Sequence, residues 1–114
     1  MHLLIDVVHR EGVTVLRPHG DLDVATGPTL KESITETLVA GDVHLVIDLA
    51  DVEFIESTVL GALIGGRRRA EAVNGSLCLV WPDHQLLRVF EITGLDKVFA
   101  IFADVDTAVA QQAA

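Results

Sequence analysis

The sequence predicts a single α/β domain over residues 3–110, built on a mixed sheet of about five strands, with an antiparallel hairpin first and then about four helices alternating with strands. Three observations predict it. Two apolar runs near the start, Leu3-Leu4-Ile5-Asp6-Val7-Val8 and Val13-Thr14-Val15-Leu16, are separated by Arg10-Glu11-Gly12, the pattern of a hairpin. Beyond them, stretches of helical periodicity alternate with short, continuously apolar runs of the kind that fill parallel sheets. The length of 114 residues, 50% of them apolar, suffices for one core and leaves no room for a second domain.

Each element has its own justification. Pro18 either closes the second strand or sits where no ladder donor is required. His19-Gly20-Asp21-Leu22-Asp23 then turns the chain across the end of the sheet. Thr26-Gly27-Pro28 supplies a cap and an early proline, and Leu30, Ile34 and Leu38 recur every four residues in a first helix that Gly41 ends. His44-Leu45-Val46-Ile47-Asp48-Leu49 is a strand buried on both faces, and strand, helix, strand implies a right-handed crossover. A second helix is expected over residues 58–73, with Val59, Leu63, Gly66, Ala70 and Val73 as the stripe facing the sheet. Gly65 and Gly66 each cost about 1 kcal/mol against alanine inside a helix, and close packing on the sheet would explain them. Ser76-Leu77-Cys78-Leu79-Val80-Trp81 is a fourth strand stopped by Pro82, and Asn74-Gly75-Ser76 before it reads as a turn. Residues 84–93 read as a short helix, residues 98–102 as a fifth strand, and Asp104 as the cap of a last helix.

Composition narrows the function classes. The formal net charge of −9 argues against any sequence-independent grip on nucleic acid and points to protein partners. No apolar run approaches a membrane span, and no basic segment leads into a long apolar stretch, so the expected location is cytoplasmic. The single cysteine, Cys78, excludes an internal disulfide and reads as a small buried hydrophobe. Arg67-Arg68-Arg69 spans about 200° of a helix surface, too wide for one basic stripe; it is either a solvated face or a partner contact.

Catalytic signatures are missing. A strand-turn-helix serine hydrolase needs Gly-x-Ser-x-Gly, whereas Ser57 lies in Ile55-Glu56-Ser57-Thr58-Val59. No glycine loop with its lysine is present to cradle phosphate. His2, His9, His19, His44 and His84 lack ligand spacing, and the pair Asp21 and Asp23 has no third ligand tied to it. His19, at a strand end, reads as structural or solvated, with a phosphocarrier as the alternative. The sequence therefore predicts no enzyme, no metal and no cofactor of its own.

The informative stretch is Phe54-Ile55-Glu56-Ser57-Thr58-Val59-Leu60-Gly61, which opens the second helix. Ser57 is the expected N-cap, which leaves the Thr58 hydroxyl free at the first helical position beside Glu56. The plainer alternative makes both residues a cap and a filler. Leu60 and Ile64 lie off the stripe on a row that continues into Arg67, Arg68 and Glu71. They either form an apolar patch for a partner or widen the core contact.

The run Glu56-Ser57-Thr58-Val59-Leu60-Gly61, with Leu45-Val46-Ile47-Asp48-Leu49 and Val52-Glu53-Phe54-Ile55 before it, resembles the phosphorylation loop of STAS-domain anti-sigma factor antagonists. Gly20-Asp21-Leu22-Asp23 and Val89-Phe90-Glu91-Ile92-Thr93-Gly94-Leu95-Asp96-Lys97-Val98-Phe99 resemble two further stretches of that family, in the same order. The resemblance implies phosphorylation at Thr58, with Ser57 as second choice, and a partner-facing surface of Asp21, Asp23, Glu56, Ser57, Thr58, Val59, Leu60 and Ile64. It also implies an anti-sigma factor of serine/threonine kinase fold as partner, release of a sigma factor on capture, and a metal-dependent phosphatase that resets the switch. Two residues depart from the family pattern, Glu56 in place of aspartate and Val59 in place of glycine. Val59, bulkier and stiff at χ1, stands where it could hinder a kinase. Other members of the family serve as transporter tails, stress-signalling scaffolds or subunits of lipid-transport complexes; a chain ending at Ala114 disfavours the first. Self-association is left open.

Overall fold

The structure is a computed structural model that describes residues 3–81, 88, 91–92, 94 and 97–113. Strands β1 (Leu4–Arg10) and β2 (Val13–His19) form the expected antiparallel hairpin, paired from Leu4↔His19 to Arg10↔Val13. Glu11 (φ 52°) and Gly12 (φ 80°) make the two-residue turn, both left-handed as the twist of a tight hairpin requires. Helix α1 (Gly27–Val39), strand β3 (His44–Asp48), helix α2 (Ser57–Ala72), strand β4 (Ser76–Val80), strand β5 (Ile101–Phe102) and helix α3 (Val105–Ala113) follow. The sheet order is β1-β2-β3-β4-β5, with every pair after the hairpin parallel.

Alternation along the central strands divides the core between two faces of the sheet. Leu45 and Ile47 point to one face, where Leu30 and Ile34 of α1 and Leu63 and Ala70 of α2 cover them. Val46, with Val13, Val15, Cys78 and Val80, points to the other, where Ala108 and Val109 of α3 close a smaller cluster. β3 is thus buried on both sides, as its unbroken apolar run predicts. Burial pushes the Cys78 thiol up to about 12, so the group is a packing element. Pro18 lies beyond the β2–β3 ladder, which ends at Leu16↔Ile47, so its missing N–H is not needed there.

Several expectations are corrected. The fifth strand is confined to Ile101–Phe102, because only Leu79 and Val80 of β4 pair with it; Phe99 is tucked into the core before it. Val73 does not continue the α2 stripe. The helix ends at Ala72, and Val73 is 52% exposed. Gly66 meets its expected close packing, since a Cβ there would stand 3.1 Å from Ile34 and 3.3 Å from Leu77, whereas a Cβ at Gly65 would make only an ordinary contact, with Arg69 Nη1 at 3.6 Å. Three helices are formed among the described residues rather than about four; the one expected over residues 84–93 lies outside them except at Arg88, Glu91 and Ile92, which are helical. The Asp104 cap is present, its carboxylate accepting from Thr107 N–H at 2.8 Å, and that bond holds its carboxyl below the usual range.

Candidate functional site

Parallel strands β2 and β3 end on the same edge of the sheet, so the loops that follow them meet there. Backbone bonds stitch them together. Gly20 N–H donates to Asp51 C=O (3.3 Å), Leu22 N–H to Phe54 C=O (2.9 Å) and Glu56 N–H to Leu22 C=O (2.8 Å), with Leu22 and Ile55 forming a parallel bridge. Leu22 and Ile55 are themselves buried, which ties the stitched loops to the core beneath them.

The first loop is self-contained. Asp23 Oδ1 accepts from Ala25 N–H (2.9 Å) and Thr26 N–H (3.0 Å). Thr26 Oγ1 accepts from Asp23 N–H (2.9 Å) and donates to Asp21 C=O (2.8 Å). Thr26 occupies the N-cap position of α1 but makes no side-chain bond to the helix, a correction to its expected role: its hydroxyl is used by the loop instead. The Thr26 backbone N–H is the main reason that the Asp23 carboxyl is held below the usual carboxylate range. Asp21 projects into solvent and Asp23 is half-buried.

The second loop delivers Thr58. Because Glu56 is held in the strand-like bridge (φ −88°, ψ 147°), it is the N-cap, and α2 begins at Ser57 with no side-chain cap. The expectation that Ser57 caps the helix is therefore corrected. Glu56 C=O accepts from Val59 N–H at 2.9 Å, and Thr58 Oγ1 donates to Glu56 Oε1 at 3.3 Å. Ser57 and Thr58 are both exposed, with their hydroxyls on the solvent side of the helix start.

Residues 59 and 60 turn inward. Val59 is 2% exposed and Leu60 4% exposed. A Cβ at Gly27 would stand 3.3 Å from Val59 Cγ2, so the valine seals α2 against the start of α1 and does not overhang Thr58. The solvent-facing alternative for Leu60 is corrected: the apolar face of α2 is wider than its narrowest stripe, and Ile64, half-buried, also packs against the core. Two exposed apolar side chains that the sequence reading passed over stand on the stitched loops, Val24 (64% exposed) and Phe54 (51%). Their signal was an apolar residue within a loop, outside any periodic element.

A charged network lies under the same edge. Asp51 Oδ2 takes Arg17 Nε at 2.9 Å and His19 Nδ1 at 2.9 Å, while His19 Nε2 meets Asp6 Oδ2 at 2.7 Å. The Arg17 hydrogen bond holds the Asp51 carboxyl below its ordinary range and raises the guanidinium in turn. Buried Asp48 accepts from Ala50 N–H at 3.0 Å and stands 3.7 Å from Arg17 Nε. Both ring nitrogens of His19 are therefore engaged by carboxylates, which favours its structural reading. Among the described residues no group of three or more His, Cys, Asp or Glu side chains is placed to hold a metal, and no helix is long and apolar enough to cross a membrane.

The structure is a hairpin-led α/β domain that carries an exposed hydroxyl, Thr58, at a helix start beside two stitched loops. The chain belongs to the STAS domain family, whose model matches residues 5–108. It is 33% identical to the anti-sigma-B factor antagonist of Bacillus subtilis, over 90% of this chain and 94% of that one. It is 34% identical to the anti-sigma-B factor antagonist of Listeria monocytogenes over 72% of each chain. Among solved structures, an anti-sigma factor antagonist from Mycobacterium paratuberculosis superposes with a TM-score of 0.87 at 29% identity, covering 96% of this chain and 93% of that one.

Proposed function

We propose that this protein is an anti-sigma factor antagonist whose docking face is the stitched loop pair and the start of α2, and whose docking is switched by phosphorylation of Thr58. The observation that carries the reading is the exposed Thr58 hydroxyl at a helix start with no side-chain cap, in a chain similar to antagonists along most of its length. The partner is an anti-sigma factor with a serine/threonine kinase fold, which brings ATP; capturing it frees a sigma factor for transcription in the cytoplasm. The surface consists of Asp21, Asp23, Glu56, Ser57 and Thr58, joined by Val24 and Phe54. Val59, Leu60 and Ile64 support it from within. The protein itself is a binding module with no catalytic role.

Transfer of the γ-phosphoryl group of ATP to Thr58 Oγ1 releases ADP and the hydroxyl proton, and adds a charge of about −1.5 to −2 at pH 7. At a helix N-terminus that charge is locally favourable, by about 0.3–1 kcal/mol when exposed. The helix therefore stays folded. Binding is lost at the interface instead, where the phosphate fills the partner's space, must be desolvated and faces the Glu56 carboxylate. Hydrolysis by a metal-dependent phosphatase restores the hydroxyl.

Mass spectrometry after incubation with a kinase-type anti-sigma factor and ATP tests the reading. One phosphate on Thr58, absent from Thr58→Ala, is expected. Phosphate on Ser57 would move the switch by one residue. Capture of the partner with no phosphate on either residue would favour a scaffold in a stress-signalling or lipid-transport assembly.

A further inference from the structure

The three consecutive arginines of α2 have different fates. Arg67 pairs with Glu71 at 3.2 Å and Arg68 lies in solvent, but Arg69 folds inward, its Nε and Nη2 buried with no hydrogen-bond partner. Arg69 as a whole is half-buried, and shielding two of its nitrogens from water with their bonds unmade carries a cost that no partner offsets. In a chain of net charge −9 with carboxylates to spare, its isolation needs a reason.

The surroundings supply one. Helices α1 and α2 run side by side with a groove between them, and Arg69 crosses it. On the Thr58 side the groove encloses about 470 Å³, and on the far side a second depression of about 410 Å³ continues it to Val39 and Val73. The larger part has a floor without side chains: a Cβ at Gly61 would meet nothing within 4 Å, and one at Gly65 would meet only Arg69 Nη1, at 3.6 Å. Its walls are largely apolar, with Lys31 as a second cation and Asp23, at the end away from Arg69, as its one carboxylate.

We propose that this groove binds an acyl chain carrying one anionic head, with the head on the Arg69 guanidinium and the chain lying along Gly65 and Gly61 toward Thr58. A carboxylate or a phosphate monoester has the oxygen geometry that matches the arginine fork, and a turn of the guanidinium toward the groove would let it give Nε and Nη2 the bonds they lack. A folded protein surface cannot follow a guanidinium turned in between two helices; a chain one methylene wide can. The site does not depend on the switch proposed for Thr58.

Titration with decanoate and with decyl phosphate, followed through the amide resonances of the intact protein, tests it, and comparing the two identifies the preferred head. The expected result is saturable shifts centred on Gly61 and Gly65 with at least one of them, and none with decyltrimethylammonium, acetate or inorganic phosphate, which lack the anion or the chain. Arg69→Met should weaken binding about tenfold or more without lowering the thermal midpoint, since it removes an unpaired charge. Gly61→Leu should block the floor and leave the fold intact, because the position is open. Shifts unchanged in Arg69→Met, shifts elicited equally by the ammonium probe, or a response to an acidic peptide with none to either acyl probe would overturn the proposal.

Discussion

The starts of α1 and α2 are built from the same residue types yet end in opposite states. At α1 the hydroxyl of Thr26 is 5% exposed and bonded in both directions, to Asp21 C=O and Asp23 N–H. At α2 Ser57 and Thr58 are exposed, and among the described residues the Thr58 hydroxyl bonds only to the neighbouring Glu56, at 3.3 Å. The cause is the acidic residue in the loop that leads into each helix. Asp23 curls the first loop back on itself, whereas Glu56 is held extended by the bridge to the first loop. One threonine is held by the loop around it and the other stands in solvent.

The largest expected effect tests the anchor under the second start. Val59→Gly removes a buried side chain and adds a helix glycine, and should cost about 3 kcal/mol in urea unfolding. It should not speed phosphorylation of Thr58, because the valine points away from the hydroxyl. A stable variant phosphorylated faster would show that Val59 is a gate.

Thr26→Val comes next. Leaving Asp23 N–H and Asp21 C=O without their partner should cost about 1–3 kcal/mol, and a change under about 0.5 kcal/mol would remove the contrast between the two starts. The Asp23 carboxyl gives the pH form of the same test. Its folded pKa lies below the unfolded value, so its contribution is present above about pH 4 and is lost as pH falls through the folded value. Asp23→Asn should therefore be less stable than the parent at neutral pH, with the gap closing in acid; a gap independent of pH would contradict the assignment. The smallest effect belongs to α2: Thr58→Ala and Thr58→Glu should each stay within about 1 kcal/mol of the parent.

The fold was legible because its signals are local or periodic. The hairpin was written in Arg10-Glu11-Gly12, the doubly buried strand in Leu45-Val46-Ile47, and the last cap in Asp104. Strand order was not, since nothing in a run of valines says which neighbour it pairs with. The site was legible as a stretch and not as a geometry. Ser57 looked like a cap because its residue type is a good one. The bridge between Leu22 and Ile55, 33 residues apart, moved the cap to Glu56, and no local pattern encodes that contact. The same holds for Arg17, Asp48 and Asp51, whose ion pairs join separate strands and loops, and for Arg69, whose place in a solvated or partner-facing cluster gives no sign that its nitrogens are shielded beside α1.

The most direct test of the switch is calorimetric titration of a kinase-type anti-sigma factor with the parent protein, Thr58→Ala and Thr58→Glu, with unfolding curves taken in parallel. The account predicts tight capture by the first two and a loss of about tenfold or more for Thr58→Glu, at nearly unchanged stability. Equal capture by all three proteins, or a loss that tracks unfolding of Thr58→Glu, would contradict it.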